Sequence, residues 1–328
     1  MKIIRVKGTG SALPKKIVQN EDLTELVETS DEWIRERTGI GQRHISTGET
    51  VASLASEAAR EALRMAGKEP EEVELILLAT CSPESLLPCS ACQVQAEIGA
   101  VNALAFDLNA ACSGFLFGLT TANAYLQTGQ FHNALVIGSE VLSKLIDWED
   151  RSTCILFGDG SGAVFLEAEE KEGGAGLIGS ALHSDGGKGA VLECRERVAV
   201  NPFFREKPTD DAGLFIRMDG QEVYRFATRQ VPKCIEEALE NAGFTVEDID
   251  LFVLHQANIR IIDAVAKRLR ADREKFAVNL QSVGNMSSAS IPVLLDELNR
   301  EGRIREGDRV VMAGFGAGLT YGACVFVW

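Results

Sequence analysis

EALRMAGKEPEEVELILLAT, residues 61–80, aligns without gaps on EALENAGFTVEDIDLFVLHQ, residues 237–256. Each copy contains a helix end, a glycine, an acidic turn and an apolar strand. Two copies of a helix–strand unit predict a duplicated α/β fold with pseudo-twofold symmetry. In this alignment His255 falls opposite Ala79. Because the shared scaffold does not require a histidine there, His255 is a candidate functional residue.

A weaker repeat pairs GAVFL (162–166) with GACVF (322–326), each after a glycine-rich turn. The two copies are separated by a hydrophilic stretch near residues 170–175. We therefore predict an N-terminal half over residues 1–172 and a C-terminal half over residues 173–328.

Apolar runs at 73–80, 133–140, 249–256 and 308–316 are typical of strands buried on both faces. The segment 52–67 repeats its apolar residues at helical spacing and ends at a glycine. The alternation of such strands and helices predicts an α/β protein with mostly parallel sheets.

Composition limits the function classes. The chain has 328 residues, of which 45% are hydrophobic and 25% charged, as in ordinary globular proteins. Its net charge of −15 disfavours nucleic acid as a partner. There is neither an apolar run long enough to span a membrane nor a secretory signal pattern. Eight cysteines without regular spacing are typical of free thiols. We expect a cytoplasmic protein that does not bind membranes.

Cys112 lies in DLNAACSGFLFGL (107–119), where an apolar strand pattern changes to a helix pattern. The unpaired N–H groups at a helix N-terminus favour a thiolate, so we expect a lowered pKa for this cysteine. Small neighbours leave room for a substrate. A buried cysteine that only fills apolar space is the alternative.

Two further polar residues stand out. His255 ends a buried strand and opens HQAN (255–258), at the strand end where open α/β sheets place their ligands. A histidine that is merely hydrogen-bonded is the alternative. Asn285 follows Gly284 in SVGNMSSAS (282–290), where capping the next helix is the simpler interpretation. The C-x-x-C of Cys89 and Cys92 lacks the further ligands that a zinc site needs.

The order NAACSGF, HQAN, GN and GFGAGLTYG, within a duplicated α/β chain, resembles β-ketoacyl-acyl carrier protein synthase III of the thiolase superfamily. The resemblance extends from GTGSALP (8–14) through TSDEWIRERTGI (29–40) to the last strand. It implies a thiolase-like fold of two α/β halves, with mixed, mostly parallel sheets in α-β-α-β-α layers.

The resemblance also implies an activity, the decarboxylating condensation of a short acyl-CoA primer with malonyl-acyl carrier protein that initiates fatty-acid synthesis. Cys112 would be the acylated nucleophile, while His255 and Asn285 would stabilise the enolate. The oxyanion hole would combine the backbone N–H groups of Cys112 and Ala317. The reaction needs neither a metal nor a redox cofactor.

Two positions depart from the family pattern. Ala317 stands where the family usually has glycine, and an alanine keeps its N–H but disfavours a positive φ. Leu87 aligns with a residue that gates the acyl pocket across the dimer interface of the family, where many members have phenylalanine. We therefore expect a homodimer and a primer range that extends beyond acetyl to branched or longer chains.

The resemblance assigns further residues to substrates. Trp33 and Arg37 would flank the CoA adenine, with Arg151 stacking from the other side and Asn258 near the pantetheine arm. Without the resemblance, Trp33 and Arg37 indicate only an amphipathic surface helix.

A basic run over residues 260–275 follows HQAN in an otherwise acidic chain. Within it, Arg260, Lys267 and Arg268 are the residues that we expect to dock the acidic carrier protein. A solvated helix face is the alternative.

Other condensing enzymes fit less well. A thiolase normally has a second catalytic cysteine, but Cys324 lies well inside the last strand pattern. Chain-elongating synthases usually pair their cysteine with two histidines. The remaining alternatives are a synthase-III-like enzyme of secondary metabolism and a non-catalytic acyl-binding protein.

Overall fold

The structure, a computed structural model, describes residues 2–169, 174–194 and 214–328. The predicted boundary between the halves, between residues 172 and 173, lies outside the described residues. None of the described helices is both long enough and apolar enough to cross a membrane.

The strands of the described residues are β1 (Ile3–Ala12), β2 (Lys16–Gln19), β3 (Gln42–Ile45), β4 (Leu75–Ala79), β5 (Leu104–Leu108), β6 (Asn133–Glu140), β7 (Gly160–Glu169), β8 (Gly176–Ser184), β9 (Leu192–Glu193), β10 (Arg217–Met218), β11 (Leu251–Leu254), β12 (Arg309–Gly316) and β13 (Thr320–Val327). The helices are α1 (Asn20–Leu23), α2 (Asp31–Thr38), α3 (Val51–Ala66), α4 (Ser90–Ile98), α5 (Gly114–Thr128), α6 (Arg151–Cys154), α7 (Gly220–Ala242), α8 (Ile259–Leu269), α9 (Leu280–Val283) and α10 (Ser290–Arg300).

Two sheets form the scaffold, with strand orders β1-β7-β6-β4-β5 and β11-β12-β13-β8. The sheets are mixed, as predicted. Among their seven described pairings, however, three are parallel (β4 with β5, β4 with β6, β11 with β12) and four are antiparallel. The expected parallel majority is therefore not found. The strands that close each half, β7 and β13, run antiparallel to their neighbours β6 and β12. Sequence periodicity does not reveal strand direction.

Five layers follow from the alternation of side chains along the buried strands. In β4, Ile76 and Leu78 face α3 and α4, whereas Leu75 and Leu77 pack against the central helices α5 and α10. In the second sheet, Leu251 and Val253 face the central helices, and Phe252 and Leu254 face α7 and α8. Both sheets are therefore buried on two faces, which explains their continuous apolar runs.

The central pair of helices positions the candidate site. Each begins directly after a short 3-10 turn, Ala111–Ser113 before α5 and Ser287–Ala289 before α10. The first residue of each turn has a positive φ, 46° at Ala111 and 49° at Ser287. The two halves thus bring equivalent turns to the middle of the molecule.

Candidate active site

Cys112 lies in the turn before α5, so its predicted place at a helix N-terminus is confirmed. The side chain is buried, with 9% of its surface exposed. The end of β12 approaches it closely: a Cβ on Gly316 would lie 2.6 Å from the Cys112 nitrogen and 3.0 Å from its Cβ. Only glycine fits at this position beside Cys112.

The expected lowering of the Cys112 pKa is not found. Burial raises the pKa of this thiol from 9.0 to about 12, although a hydrogen bond with the Ser287 hydroxyl opposes the shift, and the charge of Glu140 adds to it. Desolvation penalises a thiolate more than the helix N-terminus favours it. The thiol is therefore protonated at neutral pH before a substrate binds.

His255 follows β11 and is anchored by its backbone N–H, which donates to the Ala313 carbonyl at 2.8 Å. The ring is buried and meets Phe315 edge to face, with 5.5 Å between ring centroids. Burial lowers the pKa of His255 to about 3, and its Nδ1 has no partner among the described protein atoms. The imidazole is therefore neutral, and one nitrogen is left without a protein partner.

Asn285 lies in the loop between α9 and α10, after Gly284 with a φ of 71°. Its backbone bridges Phe157: the Asn285 N–H donates to Leu156 O and Gly158 N–H donates to Asn285 O, both at 3.0 Å. The side-chain Oδ1 accepts from the Ser287 N–H at 2.9 Å. This bond turns the oxygen toward the backbone and leaves the amide NH₂ as a donor.

One cavity of about 540 Å³ brings together Cys112, His255 and Asn285. The same cavity reaches Arg37, Asn258 and Arg260. Residues from both halves of the chain thus form a single site, with a thiol on one side and neutral polar groups on the other.

A second cavity of about 400 Å³ reaches Cys112 and has a mostly apolar lining that includes Leu142, Leu145 and Ile216. Phe157 lines both cavities and was not singled out by its sequence, because a buried aromatic residue is typical of a protein core.

Ala317, the predicted oxyanion-hole residue, also lines the second cavity. In its turn the residue with a positive φ is Gly318, not Ala317. The Cβ of Ala317 therefore causes no backbone strain.

The three residues predicted to hold the adenine lie together. The Arg37 guanidinium carbon is 5.8 Å from the Trp33 ring centroid, and that of Arg151 is 4.8 Å from it. Arg151 contacts the ring directly, and its guanidinium also donates to Glu28 O at 2.8 Å. An adenine between Trp33 and Arg151 would require Arg151 to move away by about one ring thickness.

Asn258 caps α8, accepting from the Arg260 N–H at 2.9 Å and donating to Arg37 O at 3.0 Å. It thereby ties α8 to α2 at the cavity mouth. The predicted docking residues Arg260, Lys267 and Arg268 are all exposed on α8, and Arg260 reaches the cavity.

Leu87 lies on the surface and does not line the cavities that reach Cys112 in the same chain. Its side chain is 87% exposed, in the loop between β4 and α4, and Leu86 beside it is 60% exposed. Neither leucine lines the two cavities that meet at Cys112.

Cys89 and Cys92 both lie at the start of α4. The described residues contain no cluster of His, Cys, Asp and Glu that could hold a metal ion. That this C-x-x-C does not bind zinc remains a prediction.

Sequence reasoning missed Glu140, which ends β6 and is completely buried close to Cys112. Its oxygens accept from Thr80, Cys81 and Ser82, and one lies 2.8 Å from the Ser288 hydroxyl. The only signal in the sequence is a carboxylate that directly follows an apolar run, which is also typical of a strand that ends at the surface.

Comparisons with known proteins identify the family of the chain. A family model described as 3-oxoacyl-[acyl-carrier-protein] synthase III matches residues 106–186, and the model of its C-terminal part matches residues 239–328. A β-ketoacyl-[acyl-carrier-protein] synthase III of Clostridium acetobutylicum is 47% identical over the whole chain and 99% of its own length. One from Synechococcus sp. strain WH7803 is 50% identical, covering 98% of this chain and 95% of its own.

A solved structure of 3-oxoacyl-[acyl-carrier-protein] synthase III from Aquifex aeolicus superposes with a TM-score of 0.92, at 42% identity over the full length of both chains. The fold and the cysteine, histidine and asparagine around one cavity define a thiolase-fold condensing enzyme that transfers acyl groups. Within that class, the chain belongs to the β-ketoacyl-[acyl-carrier-protein] synthase III family.

Proposed function

We propose that this enzyme condenses an acyl-CoA primer with malonyl-acyl carrier protein, in the step that initiates fatty-acid synthesis. The observation that carries the proposal is the single cavity that joins Cys112, His255 and Asn285. The second cavity beyond Cys112 supports it, because a primer attached to the sulfur needs an apolar space for its chain.

The first step is acyl transfer to Cys112. Its sulfur attacks the primer thioester, the bond to the CoA sulfur breaks, and CoA leaves as a thiolate that is protonated by solvent. The thiol must lose its proton during the attack because its pKa in the substrate-free site is about 12. Covalent catalysis then leaves an acyl-enzyme for the second substrate.

The second step is decarboxylation of the malonyl group. The carbon–carbon bond breaks, CO₂ leaves, and the electron pair forms an enolate on the remaining thioester. His255 and the Asn285 amide stabilise the enolate oxygen as hydrogen-bond donors. A neutral imidazole suits this role, since it binds the developing charge in a dry site without giving up a proton.

The third step forms the product. The enolate carbon attacks the acyl carbonyl on Cys112, and the tetrahedral oxyanion accepts hydrogen bonds from the backbone N–H groups of Cys112 and Ala317. Collapse of this intermediate releases β-ketoacyl-carrier protein and returns Cys112 as a thiolate. One proton then restores the thiol.

The proposal includes a homodimer. An exposed leucine pair at residues 86–87 and the open edge of β5, which pairs only with β4 in its sheet, support it. Leu87 would complete the primer cavity of the second copy. A leucine there leaves room for branched or longer primers. In a series of acyl-CoAs of increasing chain length, Leu87→Phe should therefore accept a narrower range of primers than the wild type and prefer acetyl-CoA.

Carrier protein would dock on Arg260, Lys267 and Arg268. Reversal of charge at Arg260 and Lys267 should slow malonyl transfer from carrier protein and leave acylation by CoA primers unchanged. Equal losses in both steps would remove the docking assignment.

We also propose that the enzyme is cytoplasmic and works without a metal or redox cofactor, so activity should survive chelation by EDTA.

Intact-protein mass spectrometry tests the whole reaction. The wild type and Cys112→Ala are incubated with a panel of acyl-CoAs, and malonyl-carrier protein is then added. We expect an acyl adduct in the wild type alone, which is discharged as β-ketoacyl-carrier protein.

An adduct that persists after addition of malonyl-carrier protein would indicate another acceptor, as in secondary metabolism. The solved priming β-ketosynthase of a polyketide pathway shares this fold at 34% identity and a TM-score of 0.91. The synthase III relatives are more similar in sequence, and they favour fatty-acid synthesis. Failure of every primer to form an adduct would indicate a non-catalytic acyl-binding protein.

A further inference from the structure

Glu140 is a buried carboxyl group for which the three steps above have no use. It is 0% exposed, and no Lys, Arg or His among the described residues forms an ion pair with it. Such a group is costly to bury as an anion unless it is well hydrogen-bonded. Its Oε2 accepts from the Ser82 hydroxyl at 2.5 Å and from the Thr80 hydroxyl and the Cys81 N–H at 3.1 Å each.

The other oxygen can carry a proton without loss of a hydrogen bond. Ser288 Oγ lies 2.8 Å from Glu140 Oε1 and 2.9 Å from the Ala79 carbonyl, but its hydroxyl has one proton to donate. When Glu140 is ionised, Ser288 can donate to it. When Glu140 is protonated, it can donate to Ser288, which then donates to Ala79. Burial also raises the pKa of Glu140 above its ordinary value.

Two side chains connect Glu140 to the nucleophile. The Cys81 thiol donates toward both Glu140 oxygens at 3.5 Å, and its sulfur lies 3.8 Å from the Ser287 hydroxyl. The Ser287 hydroxyl also lies beside Cys112 in the lining of the second cavity, where it lowers the pKa of the Cys112 thiol. Cys81, Cys112 and Ser287 all line the cavity beyond the nucleophile. The order is therefore Cys112, Ser287, Cys81, Glu140.

We propose that Glu140 accepts the proton of Cys112 through Ser287 and Cys81 when Cys112 attacks the primer. Each group passes one proton to the next: Cys112 to Ser287, Ser287 to Cys81, and Cys81 to the Glu140 carboxylate. The result is a Cys112 thiolate, neutral Ser287 and Cys81, and a protonated Glu140. After condensation the same groups return the proton to the Cys112 thiolate.

This assignment deepens the proposed function and rests on it for the acylation step, which otherwise has no proton acceptor. His255 is left to act as a neutral donor to the malonyl group. One relay would then deprotonate the nucleophile in the first step and restore it in the third, without any net change in the protein.

Simple electrostatics predicts the opposite result when Glu140 is neutralised. The negative charge of Glu140 raises the Cys112 pKa. If Glu140 acted on Cys112 only through this charge, Glu140→Gln would lower the Cys112 pKa and make the thiol more reactive. If Glu140 is the proton acceptor, the same variant removes the acceptor and makes Cys112 less reactive. The sign of the change therefore separates the two roles.

The experiment measures alkylation of Cys112 by iodoacetamide at pH 7 with peptide mapping, and the rate of acyl-adduct formation with acyl-CoA in a single turnover. The variants are Glu140→Gln, Cys81→Ala and Cys81→Ser, with Cys92→Ala as the control for removal of a thiol elsewhere. We expect Glu140→Gln and Cys81→Ala to lower both rates by about 10²-fold, as for loss of a general base.

Cys81→Ser keeps a hydroxyl that can pass a proton, so we expect it to regain most of the wild-type rate, whereas a residue needed only for packing would not show this rescue. Wild-type rates in Cys81→Ala, or a faster Glu140→Gln, would overturn the relay. The comparison of Cys81→Ala with Cys81→Ser still tests the relay if Glu140→Gln does not fold. Alkylation by iodoacetamide needs no substrate. If the alkylation rates change as expected but the wild type shows no condensation, the proposed function is rejected and the relay is retained.

Discussion

In the N-terminal half, the turn before the central helix α5 carries Cys112, and in the C-terminal half the equivalent turn before α10 carries Ser288. Both turns begin with a residue of positive φ and run into a buried helix. The two side chains have different surroundings. Cys112 lines two cavities, whereas the Ser288 hydroxyl is buried and hydrogen-bonded to the Ala79 carbonyl and Glu140.

The same contrast holds at the strand ends. Ala79 ends β4 where His255 follows β11, and Glu140 ends β6 where Gly316 ends β12. Gly316 has no side chain and lets Cys112 approach the strand, whereas Glu140 fills the corresponding position with a hydrogen-bonded carboxyl group. One backbone pattern thus supports two different sets of side chains: the side of the pseudo-twofold axis with Cys112 opens into cavities, and the side with Ser288 and Glu140 is filled by a buried hydrogen-bond network.

The largest difference should appear when the equivalent residues of the two turns, Cys112 and Ser288, are each replaced by alanine. Cys112→Ala removes the nucleophile and should lower condensation by at least about 10³-fold, because no other group can form the acyl-enzyme. Ser288→Ala should retain the adduct but lose about 1–3 kcal/mol of stability through its buried hydrogen bonds. Mass spectrometry and urea unfolding measure the two effects, and an acyl adduct in Cys112→Ala would contradict the comparison.

The next effect separates the two halves by reaction step. His255→Ala and Asn285→Ala should each slow decarboxylation by about 10²-fold, since they remove donors to the enolate oxygen. Acyl-adduct formation on Cys112 should continue at nearly the wild-type rate. Release of ¹⁴CO₂ from labelled malonyl-carrier protein, followed beside adduct formation, checks both steps, and an equal loss of both would show that the roles are not divided.

A third prediction concerns the close approach of β12 to the nucleophile. Gly316→Ala places a Cβ 2.6 Å from the Cys112 nitrogen, and the matched Gly314→Ala meets nothing closer than 3.4 Å. We expect Gly316→Ala to lower the acylation rate by about tenfold or more by displacing Cys112, and Gly314→Ala to have a small effect. Single-turnover acylation of both variants measures this, and equal rates would disprove the steric argument.

The last prediction concerns the stability of the folded protein in acid. The pKa of His255 is about 3 in the folded protein and 6.5 ordinarily. Between these values the unfolded chain binds a proton that the folded chain excludes, so the free energy of unfolding falls as the pH drops below 6.5. At pH 5 this loss is about 2 kcal/mol, and His255→Gln should lack it. Urea unfolding of both proteins at pH 7 and pH 5 measures the difference, and parallel losses in the two proteins would argue against a buried neutral histidine.

The sequence by itself determined the elements and the duplication. The segment 52–67 becomes α3, the run 133–140 becomes β6, and both repeat copies end in buried strands. It also made Cys112, His255 and Asn285 candidates, each at the end of a strand or the start of a helix pattern, and their order along the chain carried the family resemblance that assigned them roles. These features are local, and hydrophobic periodicity and turn residues encode them directly.

Only the tertiary structure decided which of these groups meet and in what state. Strand direction follows from which edge a returning strand finds, so the balance of parallel and antiparallel pairs was not readable from periodicity. The raised pKa of Cys112 and the lowered pKa of His255 arise from burial by residues distant in sequence. The contacts that link Glu140 to Cys81 and Ser288 likewise join segments far apart in the chain. Desolvation and long-range contacts exist only once the two halves have packed together, and for that reason no single stretch of the sequence could reveal them.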